Sequence, residues 1–198
     1  MPGEFVTVVS GLPRSGTSMM MQMLVAGGMP AVSDGLRAAD ADNPRGYFEL
    51  EAVKKLKTGS AWLAEARGHA VKVISMLLYE LPTDYEYRVV FMLRDMDEIL
   101  ASQKEMLKRR GTAGGDSGDA AMRLHLEAHL KKVQAWLAER KNFRVLYCEH
   151  RELLRAPVEQ ARRVAEFLGL GLDVPAMVQA IDPSLHRNRA GDTRRVTR

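Results

Sequence analysis

Residues 5 to 26 pass from an unbroken apolar, β-branched run (Phe5 to Ser10, FVTVVS) through a glycine-bracketed turn into a helix-forming stretch (Thr17 to Ala26). That order excludes most folds. An apolar run without alternation reads as a strand buried on both faces, the environment of a parallel sheet covered by helices on two sides. The turn is Gly11-Leu12-Pro13-Arg14-Ser15-Gly16-Thr17-Ser18. A turn in that position aims successive backbone N–H groups at one point, and the helix behind it adds partial positive charge. Gly16 permits close backbone approach, Arg14 adds a full cation, and Thr17 and Ser18 are expected to cap the helix and offer hydroxyls to phosphate oxygens. The segment reads as an anion cradle.

The rest of the chain repeats the strand-then-helix order. Leu50 to Arg67 has helical spacing and Ala70 to Ile74 reads as a short strand. Arg88 to Leu93 is a second buried strand, followed by a helix over Met96 to Arg109. Ala120 to Arg140 is a long amphipathic helix, Phe143 to Tyr147 a strand, and Val158 to Leu168 a helix closed by Gly169. Residues 28 to 48 lack a period and read as a binding loop or lid, and Gly111 to Gly118 as a surface loop. The expected fold is α/β: one doubly wound domain over residues 1–198, with a mostly parallel central sheet flanked by helices and a P-loop-like first turn. Ligands in such sheets lie beyond the carboxyl ends of the strands.

Composition removes other classes. A net charge of +4 suits a polyanionic small ligand, and without a Lys/Arg-dense arm it does not point to nucleic acid. The single cysteine, Cys148, sits in an apolar run and reads as a buried, inert thiol. His125 and His129 stand four apart, with Glu127 between them and no zincin pattern, so no metal is expected. No stretch approaches the roughly 20 apolar residues of a membrane span, and the N-terminus has no charged start or cleavage site; the expectation is a cytoplasmic protein.

The first turn matches G-x-x-x-x-G-K-[ST] at both glycines and at Ser18, but Thr17 stands where a nucleotide triphosphatase has lysine. The cation has moved to Arg14, which argues against ATP or GTP hydrolysis. A second anion element is expected at Arg94, directly after the Arg88 to Leu93 strand, with Ser102 about two helical turns further on. A phosphate beside that helix takes a fork from the arginine and a hydroxyl from the serine.

Together these residues resemble the sulfotransferase family that uses 3′-phosphoadenosine-5′-phosphosulfate (PAPS). Pro13-Arg14-Ser15-Gly16-Thr17-Ser18 is similar to its 5′-phosphosulfate loop, and Arg94 with Ser102 to its 3′-phosphate pair. Val145 to Glu149, then Leu153, Pro157 and Phe167-Leu-Gly-Leu170, resemble its later strand and helix. Arg187 and Arg189, before Gly191, resemble a shortened C-terminal basic loop that closes over the 3′-phosphate. Asp42 to Glu49 (DNPRGYFE) further resembles a bacterial branch. The resemblance implies PAPS as co-substrate, no metal, and binding by Arg14, Ser15, Gly16, Thr17, Ser18, Arg94, Ser102, Arg187 and Arg189. It also implies that Arg14 and Lys72 stabilise the departing 5′-phosphate. Three departures stand out. Met19 replaces the aromatic that often lies near adenine. Lys72 is followed by Val73 and Ile74, so the general-base histidine of the eukaryotic cytosolic branch is missing. The chain is also short. Glu49 is the expected base, with Glu51, Asp34 and His69 as rivals.

Other readings stay open: a P-loop small-molecule kinase, or a nucleotide-binding module without turnover. The stripe Met122, Leu126, His129, Leu130, Val133 and Leu137 reads first as core and alternatively as a homodimer face. The acceptor, small or polymeric, is not encoded in any motif.

Overall fold

A computed structural model of the chain describes residues 4–36, 46–109, 111 and 119–182. Among these, four strands form one parallel sheet in the order β2-β1-β3-β4: β1 (Phe5–Gly11), β2 (Ala70–Lys72), β3 (Glu86–Leu93) and β4 (Phe143–Glu149). Val9 pairs with Lys72 on one side and with Val90 on the other, and Met92 pairs with Cys148. The chain leaves β1 in one direction to β2 and returns past it to β3. Strand order therefore reverses at β1, and that reversal opens a crevice at the carboxyl ends of β1 and β3.

Strand side chains alternate between faces, so each strand supplies two cores. Val6, Val8, Val71, Val89 and Phe91 face one side, packed with Val133 and Leu137 of helix α4 (Asp119–Ala138). Val9, Val90, Met92 and Cys148 face the other, against Met20 and Leu24 of α1 (Thr17–Ala26) and Val164 and Leu168 of α6 (Pro157–Leu168). The short helix α7 (Val174–Gln179) docks closely on α1, where a Cβ on Gly27 would come within 2.6 Å of Met177. Both faces are covered, which is the doubly wound arrangement expected from the apolar strands. No helix among the described residues is long and apolar enough to cross a membrane.

Helix α3 (Met96–Arg109) and helix α1 have the expected bounds, while Leu50 to Arg67 does not form one helix. It breaks into α2 (Glu51–Lys54) and a 3₁₀ turn (Ala61–Ala64). The break is local: Thr58 Oγ1 and the Gly59 N–H both bind the Lys55 carbonyl, ending the helix there. Val53, Leu56, Leu63 and Ala66 still reach the core, so the apolar spacing is met by two short pieces. A 3₁₀ helix over Ser75–Glu80 and helix α5 (His150–Arg155) were not expected from the pattern. The stripe on α4 is core at Leu126, Val133 and Leu137, while Met122 is 45% exposed.

Candidate anion-binding site

The first turn leaves β1 at Gly11 and enters α1 at Gly16. Three residues in it take positive φ: Gly11 (φ 147), Arg14 (φ 70) and Gly16 (φ 101). A Cβ on Gly16 would come within 2.7 Å of His150 Cδ2, so the loop sits directly on that buried imidazole. The helix N-cap is Gly16 itself, which has no side chain to cap with. The capping expected of Thr17 and Ser18 therefore does not occur: Thr17 is buried, and Ser18 turns its hydroxyl to Lys72. No acidic side chain occupies the first turn of α1, so its positive end is left for an external anion.

The structure brings together residues the sequence holds far apart. Arg14 Nε donates to Ser102 Oγ at 2.9 Å across 88 residues. Arg94 Nη1 donates to the Arg14 carbonyl at 3.1 Å, and its Nε pairs with Glu98 at 2.9 Å. Arg94 and Glu98 side chains are each 9% exposed, a buried ion pair that fixes the guanidinium against the loop. Lys72, at the carboxyl end of β2, donates to Ser18 Oγ at 3.2 Å and to the Tyr47 carbonyl at 3.0 Å. Arg14, Lys72, Arg94, Ser18 and Ser102 thus surround one turn at the strand-order reversal. Within that turn Ser15 Oγ, on a residue 1% exposed and set against Gly11, has no hydrogen-bond partner among the described residues. A buried hydroxyl in that state carries a cost that an anion oxygen would relieve.

Glu49 lies two residues beyond Tyr47. Its carbonyl accepts the Asp34 N–H at 3.2 Å, and it is half-buried. Its charge reaches Lys54, whose pKa is raised first by its hydrogen bond to Glu51 and to a smaller degree by Glu49. The rival carboxylates have structural work: Asp34 accepts the N–H groups of Glu51 and Leu36, and Glu51 pairs with Lys54 at 2.8 Å. His69 Nδ1 is hydrogen-bonded to the Arg67 carbonyl at 2.9 Å. Met19 packs into the core on the α1 side of the sheet. Arg187, Arg189 and the stretch 42–45 lie outside the described residues, as does 112–118.

Several neighbours of this turn were not singled out from the sequence. His150 forms the floor under Gly16, with only its place just after β4 as a signal. Tyr47 is 5% exposed and ties the 46–50 segment to Lys72, and Phe48 beside it takes φ 51, strained for a bulky residue. Ser75, three residues along the chain from Lys72, is hydrogen-bonded to His129 at 2.9 Å.

The Sulfotransferase family pattern matches residues 38–174, a span that includes Lys72, Arg94 and Ser102 and begins after the first turn. No curated protein sequence matches this chain significantly. Among solved structures 64 chains do. A sulfotransferase domain from the curacin biosynthetic pathway superimposes with a TM-score of 0.54 at 14% identity, over 92% of this chain and 78% of that one. Mouse sulfotransferase SULT7A1, solved in complex with PAP, superimposes with a TM-score of 0.53 at 14% identity. That match covers 91% of this chain and 63% of the mouse chain, so the present chain spans less than two thirds of the mouse protein. At these identities the likeness shows the fold.

Proposed function

Because this chain belongs to the sulfotransferase family, we propose that it moves a sulfuryl group from PAPS to a hydroxyl or amine acceptor, using the site built around the first turn. The observation that carries the reading is the junction of the two anion elements. Arg14 reaches Ser102 while Arg94 holds the Arg14 carbonyl, so the first turn and the Arg94/Ser102 element adjoin one another. Two adjoining anion elements suit a ligand with two separated phosphates better than one with a single phosphate chain. Ser15 Oγ and the uncapped α1 N-terminus supply the donors that a bound 5′-phosphosulfate requires.

PAPS supplies the activated sulfuryl group. The chain's part is positioning and charge. Arg14 and Lys72 stand on opposite sides of the helix start, one touching Ser102 and the other Ser18. Both offer positive charge where negative charge grows on the leaving phosphate, and the N–H groups of residues 15–18 add fixed dipoles. Arg94, held rigid by Glu98, orients the nucleotide from its 3′ end. Lys72 hands its hydrogen bonds with Ser18 and the Tyr47 carbonyl to the ligand on binding, which couples the 46–50 segment to site occupancy.

The test is direct. PAP at about 100 times its Kd should stabilise the fold by about 2.7 kcal/mol, a rise of about 8 °C in Tm for a chain of this size, and Mg-ATP should not. Incubation with labelled PAPS and mixed acceptors should consume the donor. Arg14→Ala should lower that turnover by about 100-fold or more with the fold kept. A melting temperature indifferent to PAP, or full turnover in Arg14→Ala, refutes the reading.

A further inference from the structure

One buried histidine lies directly against the first turn. Strand β4 ends at Glu149 and the chain passes at once into α5, so His150 stands at the carboxyl end of the sheet, where ligands bind. Its ring does not stay above β4. It reaches past the end of β3 to the start of α1: a Cβ on Gly16 would come within 2.7 Å of His150 Cδ2 and 3.4 Å of Met92 Cε. The imidazole therefore meets Gly16 beside Met92, and His150 is only 6% exposed. Gly16 is both the ring's contact and the residue that opens α1. Any anion held by the N–H groups of residues 16–18 thus has this ring close by.

The charges around that point are uneven. Helix α1 has no acidic residue in its first turn, and His150 is itself the first residue of α5, so the positive ends of two helices meet at the ring. Arg14 stands on the turn two residues before Gly16. Beyond Met92, the Arg94 guanidinium is matched by Glu98 at 2.9 Å. Glu149 and Arg151, on either side of His150 in the chain, are both exposed, and Glu152 pairs with Arg155 at 2.6 Å. On the α6 side stand the buried Cys148 thiol and Arg163, which acts on it. With the turn empty, a positive charge on the ring meets positive helix ends and little water, and both oppose it. A dianion seated on the same N–H groups reverses the sign of that field.

We propose that His150 is a proton-linked positioning residue of the anion site: its ring is uncharged while the first turn is empty and takes up one proton when a phosphate dianion occupies the turn. This rests on the donor site proposed above. The proton comes from solvent and goes to the ring nitrogen that lacks one in the neutral imidazole. No bond to the ligand forms or breaks in this step, and His150 acts through its charge and its seat against Gly16. Linkage fixes the sign. The anion holds the proton on the ring, so the added affinity is present at low pH and fades as pH rises past the ordinary histidine range near about 6.5. Charge gathers on the 5′-phosphate as the sulfuryl group leaves, so the linkage favours PAP over PAPS, and release of PAP quickens as pH rises.

Calorimetry of PAP with the full chain, repeated in buffers of different ionisation enthalpy, counts the protons that accompany binding. At about pH 7 the unaltered protein should take up about half a proton more per PAP than His150→Phe, which keeps a ring against Gly16. His150→Gln serves as a second variant should the first fail to fold. The affinity of the unaltered protein relative to either variant should rise about tenfold between about pH 8.5 and about pH 6. The ligand's own phosphates titrate near about pH 6, but they do so in every protein and cancel in that ratio. Equal proton counts in all the proteins, or a ratio that stays level with pH, mark a merely structural ring and overturn the proposal. So does a ratio that rises toward alkaline pH. Each of those results leaves the donor reading standing, since PAP still binds. Failure of the unaltered protein to bind PAP at any pH refutes the donor reading, and this inference with it.

Discussion

Gly16 offers the sharpest test of the loop geometry. It has φ 101 and ψ 14, and an added Cβ would come within 2.7 Å of His150 Cδ2 and 3.4 Å of Met92 Cε. Two costs follow for Gly16→Ala. Left-handed backbone costs an L-residue about 1–2 kcal/mol. Overpacking against a ring that cannot retreat costs about 1–3 kcal/mol, and His150 is only 6% exposed. Together these give about 2–5 kcal/mol, which lowers Tm by about 10 °C in a chain of this size. Arg14 makes the comparison instructive: at φ 70 it shows that this turn already holds one residue with a side chain at positive φ. Thermal and urea denaturation of Gly16→Ala, His150→Ala and the double variant separate the two costs. The steric part should appear as a coupling of about 1–3 kcal/mol, since removing the ring makes room for the methyl. PAP affinity should fall about tenfold or more in Gly16→Ala, because the N–H groups no longer converge. A Tm within about 2 °C of the unaltered protein, or strictly additive variants, would show that the loop does not sit on His150.

Two further outcomes test other parts of the site and core. Arg94→Met removes the guanidinium partner of the buried Glu98 carboxylate and should cost about 3–5 kcal/mol in urea denaturation, whereas Arg94→Met with Glu98→Leu should cost much less and still lose PAP binding. Cys148 is fully buried, and burial pushes its thiol up to about 11 against a smaller lowering by Arg163. The thiolate is therefore scarce below that pH, and a disulfide reagent at pH 8 should label the protein only as fast as it unfolds; rapid labelling of native protein would refute the packing of β4.

Much of this protein is written locally. The apolar runs of β1 and β3 announce two-faced burial, and the glycines between β1 and α1 announce a tight turn. Each needs only its own few residues, because strand burial and turn chemistry act over short spans. The position of Arg94 was legible for the same reason, directly after the end of a buried strand. The Leu50 to Arg67 segment was not, since its apolar spacing suits one helix or two short pieces equally, and the Lys55 carbonyl decides between them. What the tertiary structure alone decided is who meets whom. The contact of Arg14 with Ser102, the seat of Gly16 on His150, and the arrival of His129 beside Ser75 join residues 54 to 134 positions apart (75 to 129, 16 to 150). No local pattern encodes such meetings. They follow from the order in which the strands pair and from which face of the sheet each helix covers.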